Sequence, residues 1–247
     1  NLKGLLYSSL WGLGKVIEME HPEFKCRMTD IDSMEDIKEL INEINSDPEE
    51  RFVAIRDGRR FVSRLQRSVN SFTDNDSLFR TDETGSYLIT GGLSGLGILT
   101  AKFLASKGAK HLVLTGRSDI TENSKEILNE ILSLDADVKI LKADVTLRDD
   151  MEKIFREIKK SGFPLKGIIH SAGVLDDSII MNQTKTKFDK VMAPKVLGAW
   201  YLHELSKKYE LDFFVMYSSV ASLLGSAGQS NHSSANSFLD SLAHYRR

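Results

Sequence analysis

A glycine-rich turn between an apolar strand and a helical pattern constrains the fold of this chain more than any other feature. Residues Tyr87–Thr90 predict a buried strand, and a helix is predicted from Gly95 onward. In the spacing Gly-x3-Gly-x-Gly, Gly91 permits a tight turn, Gly95 lets the backbone approach a ligand, and Gly97 lets helix and strand pack closely. Glycines alone are equally typical of a plain turn, but the strand–turn–helix context favours a pyrophosphate cradle formed by free N–H groups and the helix dipole. The predicted cradle comprises Gly91, Gly92, Leu93, Ser94, Gly95, Leu96 and Gly97.

After this turn, short apolar strands alternate with helical segments up to the last residue. The predicted strands are Tyr87–Thr90, His111–Thr115, Val138–Lys142, Gly167–His170 and Phe213–Ser218. The predicted helices are Gly95–Lys107, Asn123–Leu134, Asp149–Lys160, Thr186–Tyr209 and Ser230–Tyr245. Strands and helices in alternation with short connections predict a Rossmann-type α/β fold with a doubly wound parallel sheet. Because the pattern stops on a helix, we expect at least one further strand to belong to the complete sheet.

The first 68 residues predict a smaller, partial α/β subdomain. A first helix is predicted over Leu5–Glu20, with an apolar face of Leu10, Leu13 and Ile17, and a short strand over Lys25–Ile31. A second helix is predicted over Glu35–Asn45, with Ile37, Leu40, Ile41 and Ile44 on one side. A hairpin is predicted over Phe52–Leu65. The hairpin turns at Asp57-Gly58, a pair suited to two positive φ angles. We therefore expect a subdomain over residues 1–68, a polar linker over 69–85 and the main domain over 86–247.

Composition and charge exclude several classes of function. The formal net charge is -2, so the chain carries no basic field that would attract nucleic acid. Cys26 is the single cysteine, which forbids an intrachain disulfide and fits a reducing, cytoplasmic compartment. The most apolar stretch, residues 87–105, is interrupted by glycines and Lys102, so no membrane span is predicted. The histidines lack ligand spacing, so no metal is expected, and the first residue, Asn1, indicates a segment of a longer polypeptide.

Residues after the second, third and fourth strands indicate which dinucleotide is bound. Many NAD enzymes place an acidic residue about 20 positions after the glycines, to hold the ribose 2′-hydroxyl. Here that position is Arg117, whose guanidinium suits a 2′-phosphate and predicts NADPH, although a solvated surface arginine is the alternative. Asp144 either touches the adenine edge or caps the next helix. Further predicted cofactor contacts are Ser118, Val145, Ser171, Ala172 and Gly173.

Residues 86–247 resemble the short-chain dehydrogenase/reductase superfamily and, within it, the ketoreductase domains of modular polyketide synthases. The stretches that carry the resemblance are YLITGGLSGLG, LTGRS, HSAGVLDD, KVMAPKVLGAW and YSSVASLLGSAGQSNHSSANSFLD. In the first region, LWGLGKVIEMEHPEF and FVAIRDGRRFVSRLQR are similar to the later part of the non-catalytic structural subdomain of such ketoreductases. The resemblance implies hydride transfer from NADPH to a β-keto group on an acyl carrier protein, with other synthase domains as neighbours.

The resemblance also implies a set of catalytic residues. Ser219 matches the serine that hydrogen-bonds the developing alkoxide, while Lys195 and Asn236 match the lysine and asparagine of the proton network. The position of the proton-donating tyrosine carries His232 instead. These residue types fit the chemistry, because hydride is delivered by the cofactor while the protein stabilises negative charge on oxygen and supplies a proton.

His232 is the most informative departure from the family pattern. Imidazolium is a stronger acid than phenol, but burial and a nearby ammonium both favour neutral imidazole. The ring is also shorter than tyrosine, so its donor would lie back from the carbonyl by roughly 1–2 Å unless a water bridges the gap, and ~1 Å can cost about 100-fold. Tyr217 and Tyr245 are the nearest tyrosines, and Tyr217 is predicted to point away from the side of Ser218.

Two functions therefore stay open. The chain is either an active NADPH-dependent β-ketoacyl reductase or a degenerate domain that binds cofactor or scaffolds its neighbours. A free-standing dehydrogenase of small alcohols is disfavoured, because the first region has no role there. Leu175-Asp176-Asp177 resembles the signature of ketoreductases that give the D-configured hydroxyl, although an acidic loop that caps a helix would look the same.

Overall fold

The computed structural model describes residues 2–46, 49–67 and 81–247. Its N-terminal part contains three helices and three strands, namely α1 (Leu2–Tyr7), α2 (Ser9–Glu20), β1 (Met28–Ile31), α3 (Ile37–Asn45), β2 (Phe52–Arg56) and β3 (Arg59–Val62). Strand β2 pairs in parallel with β1 and antiparallel with β3. The hairpin turn adopts φ angles of 48° at Asp57 and 70° at Gly58, as the Asp-Gly pair predicts.

The larger part is a parallel five-stranded sheet with helices on both faces. Its strands are β4 (Ser86–Thr90), β5 (His111–Gly116), β6 (Asp137–Lys142), β7 (Leu165–His170) and β8 (Phe213–Met216). Its helices are α4 (Gly95–Ser106), α5 (Glu122–Ser133), α6 (Arg148–Ser161), α7 (Lys185–Ser206), α8 (Ala221–Leu224) and α9 (Ser230–Arg246). The strand order β6-β5-β4-β7-β8 reverses direction between β4 and β7. Ligands of such sheets bind outside the carboxyl ends of the strands at that point.

The doubly wound sheet is confirmed, and its strand and helix bounds lie within three residues of the predicted ones. Strand β8 is shorter than expected, because the chain leaves the sheet after Met216 instead of continuing to Ser218. The short helix α8 and a 3-10 turn over Ile180–Asn182 were not predicted. Of the expected linker, residues 69–80 lie outside the described residues, while 81–85 form a turn that leads into β4.

The sequence prediction for the first helix was wrong in two respects. The helix is broken at Ser8 into α1 and α2. Leu10, expected on the buried face, is 47% exposed, whereas Gly12 and Val16 are buried. Helix α2 packs against α9 through Gly12, where a Cβ would overlap the backbone of Ser233. A glycine contact of this kind carries no apolar side chain, so the apolar periodicity of the sequence does not reveal it.

Among the described residues, no helix has both the length and the apolar character needed to cross a membrane. On α3 the predicted apolar side is largely exposed, at Ile37, Ile41 and Ile44.

Candidate active site

The glycine turn has the geometry of a phosphate cradle. Gly91 adopts a φ of 66° and Gly95 a φ of 52°, conformations that L side chains rarely adopt. No described atom lies within 4 Å of the place where a Cβ of Gly95 would be, so the backbone at the head of α4 is open to a ligand. A Cβ on Gly97 would overlap the carbonyl oxygen of Gly91, so glycine is needed for helix and strand to pack this closely. The free N–H end of a twelve-residue helix therefore faces an accessible space.

That space is a cleft of about 500 Å³ at the carboxyl ends of the strands. Most of the predicted cofactor contacts line it, the exceptions being Gly92 and Gly97, which support the turn from behind. The lining residues are Gly91, Leu93, Ser94, Gly95, Leu96, Gly116, Arg117, Ser118, Asp119, Thr121, Ala143, Asp144, Val145, Ser171, Ala172, Gly173, Val174 and Pro194. Six lining residues were not predicted as cofactor contacts. Four of them follow the ends of strands, while Gly116 is the last residue of β5 and Pro194 lies in α7: Gly116, Asp119, Thr121, Ala143, Val174 and Pro194.

Arg117 and Asp144 lie at the same end of this cleft. The Arg117 side chain is 61% exposed, and its Nη1 atom lies 4.0 Å from Oδ2 of Asp144. The other carboxylate oxygen of Asp144 accepts hydrogen bonds from the N–H and the hydroxyl of Thr146, at 2.9 and 2.8 Å. Asp144 is not the residue that caps α6, since Leu147 occupies that position. The guanidinium is thus free to turn toward an anion in the cleft.

His170 joins the cradle strand to the helix that carries Lys195. Its Nε2 atom lies 3.0 Å from the carbonyl oxygen of Pro194, and its Nδ1 atom lies 2.7 Å from the hydroxyl of Thr90. A carbonyl only accepts, so the proton is on Nε2 and Nδ1 accepts from Thr90. Burial, with the Lys195 ammonium adding to it, lowers the pKa of His170 to about 4. The ring is therefore neutral at pH 7 and serves as a fixed hydrogen-bond link.

Lys195 is buried beside the cleft, and no carboxylate among the described residues is bonded to it. Its Nζ atom donates to the carbonyl oxygen of Tyr217 at 2.8 Å. The lysine also lies against Gly173, because a Cβ there would come within 3.8 Å of Nζ. Burial lowers the pKa of Lys195 to about 8, against a smaller opposing effect of Asp240. The ammonium is therefore a desolvated positive charge next to the wall of the cleft.

His232 lies in the first turn of α9 and is partly buried. Its backbone N–H donates to Oδ1 of Asn231 at 2.7 Å, while its ring Nδ1 is buried and has no hydrogen-bond partner among the described residues. Burial lowers the pKa of His232, Lys195 lowers it further, and Asp177 acts in the opposite direction. At neutral pH the ring is therefore mainly the uncharged imidazole.

Asn236 is one turn further along α9, below His232. Its Nδ2 atom donates to the carbonyl oxygen of His232 at 2.9 Å, and its Oδ1 atom is buried without a partner in the part of the chain that the structure describes. Asn236 and His232 thus share one face of the helix, as their i, i+4 spacing predicts, and Lys195 lies within electrostatic range of the ring.

Ser219 is not joined to this group. Its hydroxyl accepts the N–H of Ala221 at 3.2 Å, and the residue lines a second cavity together with Ser222 and Asp240. No hydrogen bond connects it to the His232 ring in the described part of the chain. The hydroxyl that the resemblance implies as an alkoxide partner is therefore a hydrogen-bond acceptor at the start of α8.

Tyr217 and Tyr245, the tyrosines nearest to His232 in the sequence, both contact residues elsewhere. The Tyr217 hydroxyl lies 2.6 Å from Oγ1 of Thr100 on α4, so its side chain packs on the far side of the strand end, as the sequence analysis expected. Tyr245 packs near Trp200 and His203 in the last turns of α9. Both rings are held by neighbours away from the first turn of α9.

The acidic loop after Gly173 uses both of its carboxylates in protein contacts. Asp176 pairs with Lys190 of α7 at 2.8 Å. Asp177 accepts a hydrogen bond from Nε2 of Gln229 at 2.8 Å, immediately before α9. Leu175, which follows the cleft residue Val174, is 60% exposed. The predicted stereocontrol residues thus tie the loop to the helices on both sides of it.

The sheet order, the cradle and the cleft are those of a Rossmann-type nucleotide-binding protein. A family model described as the KR domain matches residues 85–247, two thirds of the chain. The chain belongs to the ketoreductase (KR) domain family, whose members are oxidoreductases that bind NAD(P)H. This confirms the family resemblance found in the sequence.

The proteins that the chain resembles in sequence are large synthases. The chain is 36% identical over 245 residues to a phenolphthiocerol/phthiocerol polyketide synthase protein of Mycobacterium tuberculosis, covering 97% of this chain and 13% of that protein. It is 33% identical to the polyketide synthase PksN of Bacillus subtilis, covering 97% of this chain and 4% of that protein. The chain therefore spans a seventh or less of the length of these relatives, which are multidomain proteins.

Solved ketoreductase structures share the whole fold. A structure of A-type ketoreductases from a modular polyketide synthase matches with a TM-score of 0.90 and 34% identity, over 98% of this chain and 52% of that one. A ketoreductase domain from the bacillaene assembly line matches with a TM-score of 0.86 and 35% identity, over 98% and 58%. The match includes the N-terminal part, so the small sheet belongs to the shared architecture.

Proposed function

We propose that this chain reduces a β-ketoacyl thioester carried by an acyl carrier protein, with NADPH as the hydride donor, in a synthase of polyketide type. The observation that carries the proposal is the buried Lys195 ammonium between the nucleotide cleft and His232. A positive charge beside the wall of a nucleotide cleft stabilises the negative charge that develops on a ketone oxygen when it accepts hydride. The membership of the KR family supports the same reaction.

Each group of the site has a part in this proposal. When bound, the cofactor supplies the hydride. The open N–H groups at the head of α4 hold the pyrophosphate, and Arg117 pairs with the 2′-phosphate, which selects NADPH over NADH. Lys195 stabilises the developing alkoxide, and His232 delivers the proton, directly or through a water. Asn236 holds the His232 turn of α9 in place through its bond to the His232 carbonyl.

The proposal also gives the two parts of the chain different roles. We assign residues 1–68 to a non-catalytic structural subdomain and 86–247 to the catalytic one, joined by 69–85. The separate three-stranded and five-stranded sheets support this division.

The loop Leu175-Asp176-Asp177 favours a product with the D-configured hydroxyl, whereas one of the similar solved structures is of the A type. Measuring the configuration of the product therefore tests whether this loop controls the stereochemistry.

His232 favours a second candidate, a domain that binds cofactor but reduces ketones slowly or not at all. Its acid form, imidazolium, is the minor species at neutral pH, because burial and Lys195 both lower the pKa of the ring. Among the described residues, Nδ1 also lacks a partner that would hold the ring in a productive orientation. Under this hypothesis the chain scaffolds neighbouring synthase domains and retains the nucleotide site.

One substitution separates the two candidates. We expect His232→Tyr to raise the rate of thioester-dependent NADPH oxidation on the order of 100-fold, because the phenol reaches about 1 Å further toward the carbonyl. The assay follows the absorbance of NADPH with a β-ketoacyl N-acetylcysteamine thioester, and chiral chromatography gives the configuration of the product. His244→Tyr is the matched control, since His244 is exposed on the same helix away from the cleft.

The outcomes distinguish the candidates clearly. Activity in the Tyr variant alone supports the scaffold hypothesis for the natural chain. Wild-type activity that increases as the pH falls supports His232 as the proton donor, since imidazolium becomes more populated. Equal rates in both proteins contradict the argument about the phenol. Inactivity of both proteins with NADPH bound contradicts the reductase proposal.

A further inference from the structure

The last residue of α2, Glu20, contacts two segments that are far from it in sequence. Its Oε1 atom accepts the N–H of Gly228 at 2.7 Å, and its Oε2 atom accepts the N–H of Ile180 at 2.6 Å. Both donors are backbone groups in connections, outside the regular hydrogen bonding of a helix or strand. A carboxylate suits this position, because each of its two oxygens accepts a charge-assisted hydrogen bond.

The two segments are also bonded to each other. The N–H of Ser178 donates to the carbonyl oxygen of Gly228 at 2.7 Å, and Gln229 donates from its side chain to Asp177. Nδ2 of Asn231 donates to the carbonyl oxygen of Asp176 at 2.9 Å. We call this arrangement, formed by Glu20 with residues 176–180 and 228–231, the clasp.

The two segments of the clasp connect along the chain to the nucleotide cleft and to His232. The first segment continues directly from Gly173 and Val174, which line the cleft. The second segment leads into α9, where Asn231 accepts the backbone N–H of His232. Asp177 is close enough to His232 to act on its ring electrostatically. A shift of either segment therefore changes the distance from the cleft wall to the ring.

We infer that Glu20 is a positioning residue that fixes the acidic loop against the start of α9, and thereby sets how a β-ketoacyl thioester enters and orients beside His232. The inference rests on the proposed function and adds to it a role for the N-terminal part of the chain in substrate orientation. The hydrogen bonds of the Glu20 carboxylate go to Gly228 and Ile180, outside the glycine cradle, so the nucleotide site is not expected to depend on it.

Glu20→Gln tests this with little change of shape. The amide oxygen accepts one N–H, but the amide nitrogen is a donor and faces the other N–H, so one of the two bonds is lost. Glu18→Gln is the matched control, because Glu18 is on the same helix and pairs with Arg51 inside the N-terminal part. Glu20→Asp keeps both acceptors but is one methylene shorter, so it gives a milder variant should Glu20→Gln fold poorly.

Three quantities are measured on the whole chain, and the melting temperature of each variant is recorded beside them. NADPH affinity is measured by fluorescence titration, and affinity for a β-ketoacyl N-acetylcysteamine thioester is measured by NMR on the NADPH-loaded protein. The ratio of D to L product is measured in the His232→Tyr background. For Glu20→Gln we expect NADPH affinity to change less than about twofold, thioester affinity to fall on the order of 10-fold and the D to L ratio to fall, since ~1 Å of misplacement is costly. Glu18→Gln is expected to leave all three unchanged.

Other outcomes overturn the inference. If Glu20→Gln matches Glu18→Gln in thioester affinity and product ratio, Glu20 does not position the substrate. If NADPH and thioester affinities fall together with the melting temperature, its role is structural only. If the thioester binds the wild type but His232→Tyr does not reduce it, the proposed function fails, while the affinities still decide the role of Glu20. If no thioester binding is saturable, both fail.

Discussion

The phosphate end of the nucleotide cleft is formed by the backbone, whereas the proposed substrate end, which lies beside the cleft at Gly173, is formed by side chains. The phosphate end is built from Gly91, Gly95 and Gly97, whose conformations and packing leave room for no other residue at 97. The substrate end is built from Lys195 on α7 and from the first two turns of α9. There, the buried polar atoms Ser230 Oγ, His232 Nδ1, Ser233 Oγ and Asn236 Oδ1 have no hydrogen-bond partner within the described residues.

This difference separates what the fold requires from what the reaction requires. The glycines of the phosphate end are needed to bring α4 against β4, so losing them damages the fold as well as binding. The substrate end instead depends on side chains carried by α7 and by the start of α9. Side chains there can change without unfolding the sheet, and position 232 is where the sequence predicts a departure from the family pattern.

Among the substitutions that test this comparison, the one at Gly97 is expected to have the largest effect. In Gly97→Ala the new Cβ overlaps the carbonyl oxygen of Gly91, so α4 must move away from the strand. We expect a loss of roughly 3 kcal/mol or more in the free energy of unfolding, in the range of overpacked and strained sites. NADPH binding should be undetectable in a fluorescence titration.

Gly4→Ala is the control for this substitution. Gly4 is in helix α1, and no described atom lies within 4 Å of its Cβ position. Its replacement should stabilise the protein slightly, by about 0.5–1 kcal/mol, since alanine is the better helix former. Normal NADPH affinity in Gly97→Ala would contradict the assignment of the turn as the phosphate cradle.

A smaller effect, and one that depends on pH, is expected at His170, which links the two ends. The pKa of His170 is about 4 in the folded chain, against about 6.5 when unfolded, so between these values the unfolded state binds more protons. Stability contributed by the neutral ring is therefore present above pH 6.5 and is lost as the pH falls toward 4. Between about pH 7 and pH 5 we expect this group alone to remove about 2 kcal/mol from the free energy of unfolding.

The measurement is urea unfolding at several pH values, compared with two variants. His170→Gln removes the titrating ring, so the difference between about pH 7 and pH 5 should shrink by about the same 2 kcal/mol, whatever the cost at neutral pH. His244→Gln, which replaces an exposed histidine of α9, is the matched control. An unchanged slope in His170→Gln would mean that the ring is not held neutral between Thr90 and Pro194.

Local patterns explain how much of the fold the sequence reveals. Apart from α8 and the 3-10 turn at Ile180–Asn182, the helices and strands of the main domain were predicted to within three residues, because their apolar periodicity and glycine turns are local. The cleft was predicted for the same reason, since parallel strands bring all their carboxyl ends to one edge. The positions of Lys195, Asn236 and His232 came from the family resemblance, and the charge interaction of His232 with Lys195 agrees with their grouping.

Contacts between distant segments explain what the sequence does not reveal. Helix α2 buries glycine rather than its leucines, because its partner α9 approaches to backbone distance at Gly12. Glu20 bonds to residues 160 and 208 positions away, a relation that no periodicity encodes. Ser219, which the resemblance predicts as a catalytic residue, accepts the N–H of Ala221, a bond that depends on the unpredicted helix α8.

The smallest effect is expected at Arg117. This predicted cofactor contact lies at the phosphate end, where it offers a charged side chain whereas the glycines offer backbone groups. Its side chain is 61% exposed, so a bond to a 2′-phosphate is partly screened, and Arg117→Ala should weaken NADPH binding by about 10-fold, or about 1.4 kcal/mol. NADH affinity should not change, and added salt should narrow the gap between the two cofactors. Arg148→Ala, an exposed arginine on α6 paired with Glu152, is the control for net charge. Equal losses for NADPH and NADH would place Arg117 at a shared phosphate instead, and would leave cofactor preference to the backbone of the cleft.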